Sequence, residues 1–537
     1  MSVFGALIIS ALLFTAASQD AAFWNNQAQA TLRDALRLRA NEGVAKNVVF
    51  FLGDGMDVTT TTAARIYKGQ QDGNPGEETI LSWDQFPYVA LSKTYNTDQQ
   101  VPDSAGTATA FFCGVKAKAG TLGLDDSAER ANCSSTVGAS VDSLLVQANQ
   151  AGKATGVIST ARVTHATPGA LYAHSPERNW ETDVDIPAEE AADGCIDISR
   201  QLVEQNNFIN VILGGGRRNF LPNTTLDPEY GHLNQTGRRE DNRDLIERWL
   251  ADKGASARYV WNQTAFNEVD ISTPYLLGLF EPSHMQYETQ RLNDTAGEPS
   301  IAEMTEKAIT MLRQDSDGFF LMVESGRIDH AHHEGIAKGA MVDTIAFHEA
   351  VAKALELTSR EDTLVIVTAD HGHVMTIGGY PSRGNPILGY DDNNNGSDSL
   401  PYLTLSYANG PGGIILAESY NRTGLRPNHL ESDYEADGFK QDATIPADYE
   451  THGGTDVAIY ANGPWAHLFH GVHEQNYIPH VVRYAACYDD SLDNVCNSPT
   501  ATPDPCVGND SSRVQKSASA VLCHVAALLL LLAAVWS

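Results

Sequence analysis

Six short runs of β-branched and aromatic residues limit what this chain can fold into: 47–52 (NVVFFL), 89–95, 155–160, 210–213 (NVIL), 318–323 (GFFLMV) and 363–368 (TLVIVT). They are apolar without strict alternation, the pattern of strands covered by helices on both faces. Between them, segments such as 301–314 (IAEMTEKAITMLRQ) and 341–357 carry apolar residues at three- and four-residue spacing, which predicts amphipathic helices. The alternation predicts an α/β fold on a largely parallel sheet. From 379 to 450 the texture changes to Gly, Pro, Asn and Asp (GGYPSRGNPILGYDDNNNGSDS), with few convincing helices, and reads as an insertion. Its run Asp391-Asp392-Asn393-Asn394-Asn395 lacks an acidic residue at ligand spacing further on, so it reads as a solvated loop rather than an ion site.

Composition narrows the function. With 44 Gly, 22 Pro and 42% apolar residues in 537, the chain is an ordinary loop-rich globular protein, not collagen, coiled coil or a disordered tail. Its 68 acidic against 36 basic residues give a formal charge of −32, which repels phosphate backbones and excludes nucleic acid as a main partner.

Both ends read as processed. Residues 3–17 (VFGALIISALLFTAA) are almost free of polar groups and run into Ala16-Ala17-Ser18, so 1–18 reads as a secretory signal peptide. At the other end 518–536 is apolar apart from Ser519, Cys523 and His524, and a polar spacer separates it from Asp510-Ser511-Ser512. This order matches the signal for a glycosylphosphatidylinositol (GPI) anchor, with Asp510 as attachment candidate and 511–537 removed. The expected mature chain, 19–510, is carried on the extracellular face of the plasma membrane without a spanning helix. Of seven cysteines, Cys523 leaves with the tail; the other six, in an oxidising compartment, are expected largely to pair in a connectivity the sequence leaves open. N-x-S/T sequons at Asn132, Asn223, Asn234, Asn262, Asn293, Asn395 and Asn421 suit a glycosylated surface.

Chemistry-bearing residues follow the strands, where open α/β sheets bind ligands. The first run leads to Asp54, the fifth to Glu324, Asp329, His330, His332 and His333, and the sixth to Asp370, His371 and His373, while His452 precedes another apolar stretch at 456–460. A lone Asp after a strand is an ordinary cap and a lone His an ordinary packed residue. Four segments converging on one sheet edge read instead as a metal centre. Asp329 and His333, four apart, share a helix face, and Asp370 with His371 can flank a metal from an extended segment. Imidazole with carboxylate and no thiolate favours catalytic zinc, and an all-oxygen set favours magnesium. Ser104 opens a small-residue helix (DSAGTATA), where free backbone N–H groups attract an anion. Beside metals it is the candidate nucleophile, since a bound ion that lowers water's pKa from 15.7 to about 7 also promotes loss of a serine proton.

The strings FLGDGM, PDSAGTATA, RVTHATP, SPERNW, VESGRIDHAHHE, TADHGHV and ETHGGTD, in this order between about 23 and 496, resemble the alkaline phosphatase family in its secreted, membrane-anchored animal form. The resemblance implies a three-layer sandwich with a central, mostly parallel sheet and a crown-like insertion at 379–450. It implies hydrolysis of phosphate monoesters through a phosphoserine, with one zinc on Asp329, His333 and His452, a second on Asp54, Asp370 and His371, and magnesium on Asp54, Thr167 and Glu324. Ser104 would be the nucleophile and Arg178 the two-pronged phosphate clamp, with Asp103, His165, His330 and His373 around them. A calcium-like site would use Glu229, the backbone of Phe280, Glu281 and Glu298, the last standing where the family has Asp. Cys133 would pair with Cys195 and Cys487 with Cys496, leaving Cys113 buried and Cys506 unassigned. A homodimer is implied as well, with Trp24 and a helix-like 28–39 as candidates for its interface arm. Sulfatases on the same sheet need a C-x-P-x-R motif that this chain lacks, and Arg178 favours a doubly charged monoester over a diester. A binding protein that had lost its chemistry would have lost some of these groups, yet all are present.

Overall fold

The apolar runs join other strands in one ten-stranded sheet. The computed structural model describes residues 19–488. The strands are β1 (Asn47–Gly53), β2 (Tyr88–Lys93), β3 (Ala154–Arg162), β4 (Val211–Gly215), β5 (Ala257–Val260), β6 (Tyr275–Leu279), β7 (Phe319–Ser325), β8 (Thr363–Ala369), β9 (Val457–Asn462) and β10 (Gly471–Glu474). Their order across the sheet is β10-β2-β9-β8-β1-β7-β3-β4-β6-β5. All pairings are parallel except those of β9, which runs antiparallel to both β8 and β2.

The described helices that matter below are α1 (Ala21–Arg37), α2 (Val58–Gln71), α3 (Ser104–Cys113), α4 (Ile301–Leu312), α5 (Arg327–His333), α6 (Ala337–Leu357), α7 (Pro411–Thr423) and α8 (Tyr477–Ala486). β1 shows why its run is apolar throughout. Phe50 packs against Phe111 and Phe112 of α3 on one face, while Phe51 meets Phe347 of α6 on the other. The cluster on the first face also includes Ile478 and Val482 of α8, and the second takes in Met304 and Ala308 of α4. Each fully buried Phe contributes about 1.5–3 kcal/mol. These helix layers on two faces make the expected three-layer sandwich. α4 starts at a capping box in which Ser300 Oγ accepts the Glu303 amide and Glu303 returns a carboxylate to the Ser300 amide.

Several local expectations shift. The strands β5, β6 and β10 are not among the sequence runs, being four or five residues long, with β5 and β10 at the two sheet edges. The N-terminal helix spans Ala21–Arg37, capped by Asp20, and buries none of its residues in the single chain. Segment 379–450 holds more order than its composition suggests: a hairpin (Tyr390–Asn395 with Pro401–Leu403), two strands of a three-stranded ladder and the 13-residue α7. Helix α7 escapes a propensity reading because of Gly412 and Gly413. A Cβ at these positions would lie 1.8 Å from Gln441 O and 2.6 Å from Ile445 O, so the glycines permit close packing rather than break the helix. Asp391 is buried, its carboxylate accepting from the amides of Tyr380 (2.7 Å) and Asn393 (2.8 Å) and from Tyr402 OH (2.9 Å), which leaves it a turn-forming residue.

Cys133 and Cys195 form a disulfide, Cys113 is buried and free, and Cys487 is disulfide-bonded. Cys496, Cys506, the signal peptide 1–18, Asp510 and the tail 511–537 lie outside the described residues. Among the described residues no helix is long and apolar enough to cross a membrane. The sequon residues Asn132, Asn223, Asn234, Asn293, Asn395 and Asn421 are exposed; Asn262 is half-buried and caps a short helix.

Candidate active site

Because β1 lies between β7 and β8, and Leu52 is level with Glu324 while Gly53 is level with Ala369, the residues leaving these strands arrive side by side. Asp54 follows β1, Glu324 sits near the end of β7, and Asp370 and His371 follow β8. The loop after β1 turns at Gly55 (φ +71°), where a Cβ would lie 2.4 Å from His373 Nε2. Only glycine fits there. Its amide donates to Asp370 Oδ1 at 2.9 Å. α5 supplies Asp329 and His333 one turn apart. A two-residue ladder pairs His452 with His373 and brings His452 over the same edge.

The donor atoms form compact sets. Asp329 Oδ1 is 3.3 Å from both His333 Nε2 and His452 Nε2, and the two nitrogens are 3.1 Å apart. A tetrahedral zinc with bonds of about 2.0–2.1 Å spaces its ligands by about 3.3 Å, so this triangle fits one ion with an open fourth position. Hydrogen bonds from His333 Nδ1 to Glu450 O (2.5 Å) and from His452 Nδ1 to Pro102 O (2.7 Å) leave each Nε2 free to ligate. Asp54, Asp370 and His371 form a second set, with His371 Nε2 3.0 Å from Asp370 Oδ2 and 3.7 Å from Asp54 Oδ1. Both carboxylate oxygens of Asp54, Glu324 Oε1 and Thr167 Oγ1 are buried without a hydrogen-bond partner, and Asp370 Oδ2 meets His371 Nε2 alone. Orphaned buried oxygens at this density are what a divalent cation resolves, and Asp54, Thr167 and Glu324 are the all-oxygen group suited to magnesium.

Electrostatics agree with an ion-binding role. Burial, together with Asp370, Asp329 and Glu324, lifts Asp54 well above the carboxylate range. Burial pushes Glu324 up to about 7. Asp329 is held well below its usual value: burial works against this, but His333, His373 and His452 outweigh it. Burial and Arg327 lower His330 to about 3, and burial, Arg178 and Arg162 hold His165 neutral.

Ser104 is the first residue of α3 and is almost fully buried, its Oγ 3.2 Å from His371 Nε2. Asp103 caps the helix through the Gly106 amide (3.0 Å), accepts the Gly120 amide (2.9 Å) and holds Arg178 Nη1 at 3.2 Å; Arg178 Nη2 is 3.1 Å from His165 Nε2. Ser104, Arg178, Asp329, His330, His333 and His452 line one open cleft of about 480 Å³.

A separate acidic set lies elsewhere. Oxygens of Glu229, Glu281 and Asp294 come within 4.8 Å of one another. Glu298 is buried beside them: its Oε1 accepts the Gln286 amide at 2.9 Å, its Oε2 has no hydrogen-bond partner, and burial with the nearby Glu281 pushes it up to about 9. The Phe280 carbonyl accepts from Arg217. Asp294 carries no separate signal in the sequence because it is the middle of the Asn293-Asp294-Thr295 sequon. Two further buried groups have no sequence signal beyond proximity. His332 bonds Thr60 Oγ1 (2.9 Å) and Tyr407 OH (2.8 Å), and Glu450 precedes His452 by two residues.

Comparisons with known proteins agree with this geometry. Residues 45–488 match the alkaline phosphatase family. The chain is 48% identical over 532 residues to the tissue-nonspecific alkaline phosphatase of Gallus gallus, covering 98% of each, and 49% identical over 494 residues to that of Rattus norvegicus, covering 91% of this chain and 93% of the relative. The crystal structure of Thermus thermophilus alkaline phosphatase shares the fold with a TM-score of 0.60 at 22% identity, covering 85% of this chain and 94% of that one. With its donor clusters, its capped serine and these matches over nearly the whole length, the chain belongs to the alkaline phosphatase family.

Proposed function

We propose that the protein hydrolyses phosphate monoesters at alkaline pH through a covalent phosphoserine on Ser104. The observation that carries this reading is the placement of Ser104 Oγ 3.2 Å from His371, inside the carboxylate and imidazole cluster and beside Arg178. The phosphoryl group is oriented by the amide groups opening α3 and by the guanidinium of Arg178, a planar fork that matches two phosphate oxygens. Ser104 Oγ forms a bond to phosphorus as the bond to the alcohol oxygen breaks; water then forms a bond to phosphorus and releases Ser104 and inorganic phosphate. Two zinc ions, on Asp329, His333 and His452 and on Asp54, Asp370 and His371, with magnesium on Asp54, Thr167 and Glu324, supply Lewis acidity for nucleophile and leaving group. His165, His330 and His373 shape the surrounding field. Since these contacts address the phosphate and not the alcohol, a broad substrate range follows.

Glu229, Glu281 and Glu298, with the Phe280 carbonyl and the neighbouring Asp294, suit a calcium-sized ion. The uncovered apolar residues of α1, Phe23, Trp24, Leu32 and Leu36, suit an arm in a homodimer. The signal peptide, the sequons and the terminal apolar tail support a glycosylated protein GPI-anchored on the extracellular face of the plasma membrane.

The test is release of p-nitrophenol from p-nitrophenyl phosphate between pH 7 and 10, with zinc and magnesium present and then chelated, beside Ser104→Ala. Chelator-sensitive turnover that rises with pH and vanishes in the variant is expected. Equal turnover in the variant, or none in the fully metallated protein, would overturn the reading.

A further inference from the structure

The histidines around Asp329 do not orient themselves. Geometry alone groups Asp329 with His371, His373 and His452, and separately groups His333 with His373 and Glu450, so distance does not decide which imidazoles turn toward Asp329. Glu450 is fully buried and touches two of them. Its backbone carbonyl accepts from His333 Nδ1 at 2.5 Å and its amide donates to His333 O at 2.8 Å. Its carboxylate is divided: Oε2 accepts from His373 Nδ1 at 2.6 Å and Oε1 from the Val374 amide at 2.8 Å. In consequence both rings present Nε2 to the same atom, Asp329 Oδ1, at 3.3 Å for His333 and 2.9 Å for His373.

Resting on the zinc ligand set proposed above, we infer that Glu450 is a positioning residue of the metal centre: its main chain aims His333 at the ion, and its carboxylate holds His373 against Asp329. Both tasks fall to one residue two positions from the ligand His452, so the segment that delivers that ligand also orders its neighbours. The carboxylate is required as such. Two donors, His373 Nδ1 and the Val374 amide, need two acceptors, and an amide offers one acceptor with an NH₂ that would face the other donor. Partners of this kind typically contribute 10- to 100-fold to metal affinity.

The experiment is competition of the purified, zinc-loaded protein against a chelator, for wild type, Glu450→Gln and Glu450→Ala, with melting of all three both zinc-loaded and metal-free. Both variants are expected to lose zinc at about 10- to 100-fold lower chelator concentration, to regain turnover in excess zinc, and to melt below the wild type by more with zinc bound than when metal-free, where only the contacts of the carboxylate are lost. Unchanged chelator curves would overturn the proposal, as would a melting point lowered equally with and without metal and no rescue by zinc, the mark of a merely structural residue. A wild-type protein that binds no zinc would overturn the ligand set itself, and this inference with it.

Discussion

Asp103 Oδ2 lies 3.2 Å from Arg178 Nη1 while Asp103 Oδ1 accepts the Gly106 amide, so one carboxylate caps the helix that Ser104 opens and pre-aims the guanidinium that faces it. Burial favours its neutral form, but Arg178 and the two amides win and hold Asp103 below its usual value. Asp103→Ala removes both functions. The cap costs about 1 kcal/mol of stability, seen as a lower melting temperature. Phosphate inhibition should weaken several-fold because the freed guanidinium must be ordered at binding. An unchanged inhibition constant for inorganic phosphate would show that Arg178 needs no such hold.

Arg178→Lys keeps the charge and loses the fork. The ammonium reaches one partner at a time, whereas the guanidinium now spans Asp103 and His165 and has further donors for phosphate. A charge-assisted hydrogen bond contributes about 1.5–3 kcal/mol, so kcat/KM should fall by about 10- to 100-fold, with less loss than in Arg178→Ala. Steady-state kinetics on one monoester checks this, and equal losses in the two variants would reduce Arg178 to a geometric role.

Removing the metals should make stability depend on pH above neutrality. Above neutrality the metal-free protein's Asp54 holds a proton that the unfolded chain has released, and His373, raised to about 10 by Glu450 and Asp329 against the effect of burial, does likewise, while Glu324, raised only to about 7, has lost its share by then. A group whose folded pKa is raised loses its stabilising share as pH climbs from the unfolded toward the folded value. Asp329 and Asp370, lowered, are ionised in both states above about pH 5 and add no slope. The buried neutral histidines act oppositely, but only below about pH 7, where unfolded imidazoles take up protons. The melting temperature of the chelated protein should therefore fall between pH 7 and 9 while the loaded protein holds level. Parallel curves would contradict the raised Asp54 and His373.

What was legible in the sequence follows from burial on two faces. β1, β7 and β8 are covered by helices on both sides, so their runs stand out as uninterrupted apolar residues, and their ends point to Asp54, Glu324, Asp370 and His371 without any structure. Ser104 and Asp103 were legible for a local reason, a cap and small residues at a helix start. Groups that act through the fold carry no such mark. Glu450 reaches His333 and His373 from more than 75 residues away in sequence, and His332 is tied to Tyr407 and Thr60 by contacts that no spacing announces. Helix α7 hid behind Gly412 and Gly413, whose missing side chains answer the approach of 441 and 445 and not a local preference.

Asp343, on α6, is a buried carboxylate outside the metal cluster, and it should weaken the protein at alkaline pH. Its Oδ2 accepts the Glu288 amide at 3.2 Å, and burial lifts it to about 7 although Arg327 pulls the other way. The unfolded carboxyl ionises near pH 3.9, so between about pH 4 and 7 the unfolded state gives up its proton while the folded state keeps it. Stability falls through that window, by about 1.4 kcal/mol for each pH unit crossed, and stays reduced above it. Asp343→Asn keeps an oxygen for the Glu288 amide and removes the charge. Relative to wild type it should gain stability at pH 8, and gain about 2.7 kcal/mol less at pH 5, where the native carboxyl is already neutral. Denaturant unfolding of the two proteins at both pH values decides it: an equal difference at pH 5 and 8 would mean that Asp343 is ionised throughout and that its neighbours, not its protonation, carry the cost of burying it.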